Sequence, residues 1–270
     1  MKAYPQVDRL LDQSEKMQCC AHSTNSLIQK GLYRRYLAGD LAKPYPGLYS
    51  RHEYWNRLNG AEQSLHMART LKGMHPDWVF AGLTAAAAYG FEHQWFLHHE
   101  ITITLSTHGS YRPHDKLHVI YSPYPKHDAT IASGIPVTNK ARTLVDCGNT
   151  QEFRGALPVF DSAAAGGLDE AALMKECSLI TQDCTKIIKL LRYTNAASDN
   201  GGESFARGTM IEAGFAEPRL QVVIVDPATG QQYRVDFLWR TDDGRSIVCE
   251  FDGTAKYVDP EMTSNRSCLL

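Results

Sequence analysis

A chain of 270 residues with 43% hydrophobic and 21% charged residues has the make-up of a folded globular protein, long enough for two or three domains. A formal net charge of -2 excludes a uniformly basic nucleic-acid binder, and no apolar run reaches the roughly 18 residues of a membrane helix. Seven cysteines, odd in number and without a C-x-x-C pair, exclude a disulfide scaffold and a zinc ribbon; with no signal-like apolar segment near Met1, they point to a reducing cytoplasm.

Charge is unevenly spread. Residues 1–58 hold nine Lys/Arg against five Asp/Glu, a net of +4, whereas residues 196–270 hold seven against twelve, a net of -5. A basic head and an acidic tail imply different tasks. In the head, Val7, Leu10 and Leu11 mark one helix. Ser23 and Thr24 are placed to cap a second helix running through Leu27, Ile28, Leu32 and Tyr36. Two short extended pieces follow about Pro46-Gly47 and end at Tyr49. Helices followed by a compact hairpin describe a winged helix over residues 1–58. Lys30, Arg34 and Arg35 then lie on the recognition helix, with Lys43 and Arg51 around the wing, where a duplex backbone would pass. A solvated helix face explains the same charges.

The middle, residues 59–195, alternates helix and strand patterns. Ala61–Leu71 is an amphipathic helix, Trp78–Ala81 a short strand, and Thr84–Tyr89 an alanine-rich helix suited to close packing. Ile101–Ser106 and Leu117–Ser122 alternate at period two and read as strands. Pro136–Asp146 runs from a strand into a helix capped by Thr138, on which Arg142 and Asp146 are spaced for an ion pair. Helices are expected at about 151–165, 168–178 and 183–192, then a linker over Tyr193–Gly202. His93, His98 and His99 have a spacing that could hold a metal. No acidic residue accompanies them before Glu100, and ordinary histidines explain them better.

The tail carries the densest signal. Gly201-Gly202-Glu203 opens a helix through Met210 and Ile211, stopped by Gly214. Glu203 in the first turn suits the helix dipole as a cap, and a helix could equally deliver it to a sheet-borne site. Tyr233–Leu238 and Ser246–Gly253 are strand-like runs joined by the polar turn Thr241–Arg245. Asp236 and Glu250 lie inside these runs between apolar neighbours, and a hairpin brings them side by side. Carboxylates at such positions are costly without a purpose, and two or three converging would bind a hard divalent cation.

Several of these segments resemble known families. The Gly47-Leu48-Tyr49 wing ending and the Thr138-x-x-x-Arg142-Thr143-Leu144-Val145-Asp146 run resemble the winged helix and central domain of AbiEi-type antitoxins of type IV toxin–antitoxin systems. From about Ser198 to Pro260 the chain looks like the PD-(D/E)XK nuclease superfamily, in the branch similar to the very-short-patch repair (Vsr) endonuclease. The pieces are Glu203-Ser204, the Gly214-to-Gln221 run, Arg234-Val235-Asp236-Phe237 and Glu250-Phe251-Asp252-Gly253. The resemblance implies that Asp236 and Glu250 hold Mg2+ or Mn2+ with Glu203 as an accessory acid. Asp252 stands where that motif usually has Lys; Lys256 is either the replacement cation or a solvated surface lysine. Nucleases of this type continue beyond the motif, so residues 196–270 are expected to be a truncated nuclease domain.

These features imply an α/β (α+β) protein in three parts: a winged helix (1–58), a central α/β domain (59–195) and an incomplete Vsr-like mixed sheet (196–270). The implied partners are double-stranded DNA and a cognate toxin, with no membrane. The implied function is a DNA-binding protein with a divalent-metal-dependent endonuclease site. The alternatives are a non-enzymatic antitoxin and transcriptional autorepressor with a degenerate nuclease fold, and a restriction-like defence effector using the same site.

Overall fold

The computed structural model describes residues 5–106, 114–122 and 128–252. In chain order they form α1 (Pro5–Lys16), α2 (Ser26–Leu37), β1 (Leu41–Tyr45), β2 (Leu48–Arg51), α3 (His52–Trp55), α4 (Gly60–Met74), β3 (Val79–Phe80) and α5 (Gly82–Tyr89). A 3-10 turn at Trp95–Leu97 leads to β4 (Ile101–Leu105), β5 (Leu117–Tyr121), β6 (Thr130–Ala132), β7 (Ile135–Val137) and α6 (Lys140–Thr150). Then come α7 (Phe153–Ala165), α8 (Glu170–Leu179), α9 (Thr185–Tyr193), α10 (Gly201–Glu212), β8 (Arg219–Val225), β9 (Gln232–Arg240) and β10 (Ser246–Cys249). The protein is therefore mixed α/β, and none of the described helices is long and apolar enough to cross a membrane.

The chain divides into two compact units. The first comprises residues 1–91, 95–150 and 169–187, the second residues 92–94, 151–168 and 188–270. Residue 58, the expected end of the first part, lies inside the first unit, where Tyr45, Leu48 and Trp55 share one core with Phe80, Ile101, Ile103 and Val137. Residues 151–168, which include α7, fall in the second unit together with residues 188–270.

In the first unit, Val7 and Leu11 of α1 recur at helical spacing and pack with Leu32, Leu41, Tyr49 and Ala21. Ala21 exchanges two backbone hydrogen bonds with Tyr49. The cap of α2 is Asn25, whose side chain accepts from the Leu27 and Ile28 amides, so the expected Ser23/Thr24 cap is displaced by one or two residues. A short polar carbonyl next to the first turn meets the same need as a hydroxyl. The five-stranded sheet has the order β5-β4-β3-β7-β6. Its β3 runs antiparallel to β4 and parallel to β7. The β6–β7 hairpin, which no sequence periodicity marks, turns on Ser133 and Gly134, both with positive φ, the geometry of a tight hairpin turn. At the start of α6 the Arg142 amide donates to Asn139 Oδ1. Thr138, expected as the cap, instead shares a buried hydrogen bond of 2.8 Å with Thr143.

Arg142 and Asp146 form the expected i,i+4 pair at 2.7 Å, both side chains 2% exposed. Burial lifts the Asp146 carboxyl to about 6 against the opposing pull of Arg142. A carboxyl raised in the folded state binds protons that the unfolded chain has already released. Stability should therefore fall as pH rises from about 4 to about 6, and level off above. Two pH units correspond to roughly 3 kcal/mol at most. Urea melts across that window should show this slope, and Asp146→Asn should flatten it whatever its effect on baseline stability.

In the second unit α7 packs against α10, and β10, β9 and β8 form a three-stranded antiparallel sheet in that order. At Gly208 the two helices nearly touch: a Cβ there would lie 2.8 Å from Arg154 Cα. Beside it the fully buried Arg207 grips Asp161 of α7 with two hydrogen bonds of 2.8 and 2.6 Å.

Candidate metal and DNA-contact sites

The acidic residues of the second unit are drawn together by strand register. Leu220 pairs with Phe237 and Val222 with Val235, so Gln221 lies across from Asp236 on β9. On the other side the last pair is Cys249 with Phe237, and Glu250 follows one residue beyond the end of β10. Residues directly opposed on antiparallel strands share a face. Beyond β10 the chain stays close, because the Phe251 amide donates to Asp236 Oδ2 at 2.8 Å. Asp236 is half-buried, while Glu250 and Asp252 are exposed.

Glu203 approaches from the first turn of α10 and is 6% exposed. Its oxygens accept from Asn200 Nδ2 at 2.6 Å, the Asp199 amide at 3.1 Å and Gln221 Nε2 at 2.8 Å. Its own amide donates to Asn200 Oδ1 at 3.0 Å. Glu203 is thus tied into the start of α10, and its carboxylate feels the charge of Asp236 on the sheet. Burial raises its carboxyl above the ordinary range; the Asp199 amide opposes this and the Asp236 charge adds to it. The Cys249 thiol is raised by burial first, then by the charges of Glu250 and Asp236.

The local roles of Gln221, Gly202 and Phe251 were not legible in the sequence. Gln221 has a φ of +51°, a left-handed conformation unusual for a residue with a side chain and costly within a strand. It interrupts the ladder opposite Asp236 and turns its amide to Glu203. Gly202 leaves room for Phe251, whose ring would lie 2.5 Å from any added Cβ. This contact holds the end of the hairpin beside the start of α10. The paired glycines at the helix start were the available signal for it; the φ of Gln221 had none.

Among the described residues, no three His, Cys, Asp or Glu side chains are grouped to hold one ion. The side chains of Glu203, Gln221 and Asp236 offer oxygen acceptors here. One of them, Gln221 Oε1, is buried without a hydrogen-bond partner. Carboxylate and amide oxygens with an orphaned acceptor suit a hard cation such as Mg2+ or Mn2+. Lys256 lies outside the described residues.

The basic residues of the first unit separate into two groups. Arg35 is pinned between Asp8 and Asp40 at 2.5 Å each, with its side chain 13% exposed. Arg51 pairs with Asp12 at 2.7 Å and Glu15 at 2.9 Å. Both guanidinium groups tie α1 to the rest of the unit, a use that the spacing of charges along the sequence does not reveal. Lys30, Arg34 and Lys43 are exposed. Comparison with protein families, with curated proteins and with solved structures finds no match to this chain.

Proposed function

We propose that this is a DNA-binding protein whose C-terminal unit carries a divalent-metal-dependent phosphodiesterase centre of the Vsr-like PD-(D/E)XK type. The observation that carries the reading is that Asp236 lies in β9 between the Gln221 position of β8 and the end of β10, which Glu250 follows, with Glu203 of α10 bonded to Gln221 and under the influence of the Asp236 charge. Asp236 and Glu250 would hold the ion, which supplies Lewis-acid activation of a phosphodiester. The Phe251 amide fixes Asp236, and Gln221 together with Asn200 fixes Glu203. Glu203, with its carboxyl raised by burial, is the group suited to take up a proton near the reacting phosphate. In the first unit, α1, α2 and the β1–β2 hairpin are read as a winged helix, with Lys30, Arg34 and Lys43 as its phosphate contacts.

The test uses the whole chain. Mn2+ at ten to a hundred times its Kd should stabilise the fold by roughly 1–3 kcal/mol. Supercoiled plasmid should be nicked in Mn2+, and Asp236→Ala should abolish both effects. Lys30→Ala with Arg34→Ala should weaken duplex binding and lower its salt slope by about one for each phosphate no longer neutralised.

A second reading is favoured by Asp252, an acid where the nuclease motif has Lys. In it the protein is a non-enzymatic antitoxin and autorepressor with a degenerate nuclease fold. Salt-sensitive duplex binding with neither a Mn2+ shift nor nicking would select it.

A further inference from the structure

The exposed side of α2 carries more than cations. Tyr33 and Tyr36 are 48% and 38% exposed, with ring centroids 6.2 Å apart. Tyr49 of β2 braces Tyr36 from the edge at 6.3 Å. Lys43 on β1 places its ammonium 5.9 and 5.7 Å from the two ring centroids. Along another flank of α2, Arg9, Lys30 and Arg34 line a groove of about 700 Å3 whose apolar wall includes Leu27 and Ile28 and whose lining includes no acid.

Cations alone would serve any nucleic acid through its phosphates. Accessible aromatic rings add a different capacity, because nucleic-acid bases stack on them. In a duplex the base faces are covered by their neighbours; in a single strand they are open. Stacking rings beside a positively charged track is the combination that binds unpaired nucleotides without reading their sequence. We infer that this surface binds single-stranded DNA, stacking unpaired bases on Tyr33 and Tyr36 while Lys43 and the groove cations hold the flanking phosphates. The inference rests on the DNA-binding reading above and adds strand state to it.

Fluorescence anisotropy with the whole chain, a labelled oligo-dT and a duplex of equal length tests it. Tyr33→Ala should weaken oligo-dT binding about tenfold, and the Tyr33→Ala/Tyr36→Ala pair up to about a hundredfold, with the salt slope unchanged. Phe at both positions should keep wild-type affinity, since the ring and not the hydroxyl carries the contact. Duplex affinity should change by less than about threefold, because duplex bases are already stacked. Because Tyr36 packs on Tyr49, the Tyr33→Ala single variant, confirmed folded by its melting curve, decides the matter. Oligo-dT binding unaffected by Tyr33→Ala, or an equal loss on duplex, overturns the inference. Salt-sensitive duplex binding by a wild type that ignores oligo-dT overturns it while leaving the DNA reading standing. No binding to either form overturns both.

Discussion

Arg207→Ala is expected to cost the second unit about 3–5 kcal/mol, a large fraction of the stability of a domain this size. The Arg207 and Asp161 side chains are 0% and 2% exposed. Arg207 spends its Nη2 on both Asp161 oxygens, and its Nη1 donates to the Tyr193 carbonyl at 2.6 Å. Asp161 Oδ1 accepts in addition from the Asn195 amide at 2.8 Å. Truncating the arginine leaves a carboxylate sealed from water with one amide for company. That uncompensated charge, more than the missing attraction, sets the penalty. Asp161→Ala should cost a similar amount from the other side. Replacing both partners with apolar residues of like volume should recover much of the loss, because no charge is then stranded. Urea and thermal melts of the three variants decide this. An Arg207→Ala protein within about 1 kcal/mol of wild type would show that the pair is not the main fastening of α7 to α10.

In the first unit the largest effect is expected at Gly60, the opening residue of α4. Replacing a helical glycine by alanine ordinarily gains up to about 1 kcal/mol. At Gly60 the added Cβ would stand 2.2 Å from the carbonyl oxygen of Trp95 and 3.1 Å from its carbonyl carbon. The obstacle is backbone, and the helix start cannot retreat, because Asn59 and Glu62 lock it in a reciprocal capping box. The clash should outweigh the propensity gain, giving a net loss of about 2 kcal/mol or more. Gly73 in the same helix is the internal control. A Cβ there meets nothing within 4 Å, so Gly73→Ala should be neutral or stabilising. Equal melting shifts for the two variants would refute the close-approach argument.

The lengths and order of most elements could be read from the chain. Alternation marked β4, β5 and β9, and apolar spacing marked α1, α4 and α10, because local periodicity follows directly from backbone geometry. The β9–β10 hairpin was legible for the same reason: a polar turn between two strand-like runs leaves few registers. Glu203 was legible as a residue of the first helical turn, and there its carboxylate accepts from the Asp199 amide and from Gln221. Short elements with weak patterns, such as β6, were not legible.

What the tertiary structure alone decided is how each charge is used. Arg34 and Arg35 are adjacent and chemically identical in the sequence, yet Arg35 is half-buried between Asp8 and Asp40 while Arg34 is exposed. Arg207 and Asp161 are 46 residues apart, and nothing local announces that they meet. Gln221 reads as an ordinary strand residue until its left-handed backbone and its hydrogen bond to Glu203 are seen. Periodicity records which side chains share a face of one element. Partnership, desolvation and backbone strain arise only when separate elements pack, and those are the quantities that tell a structural charge from a functional one.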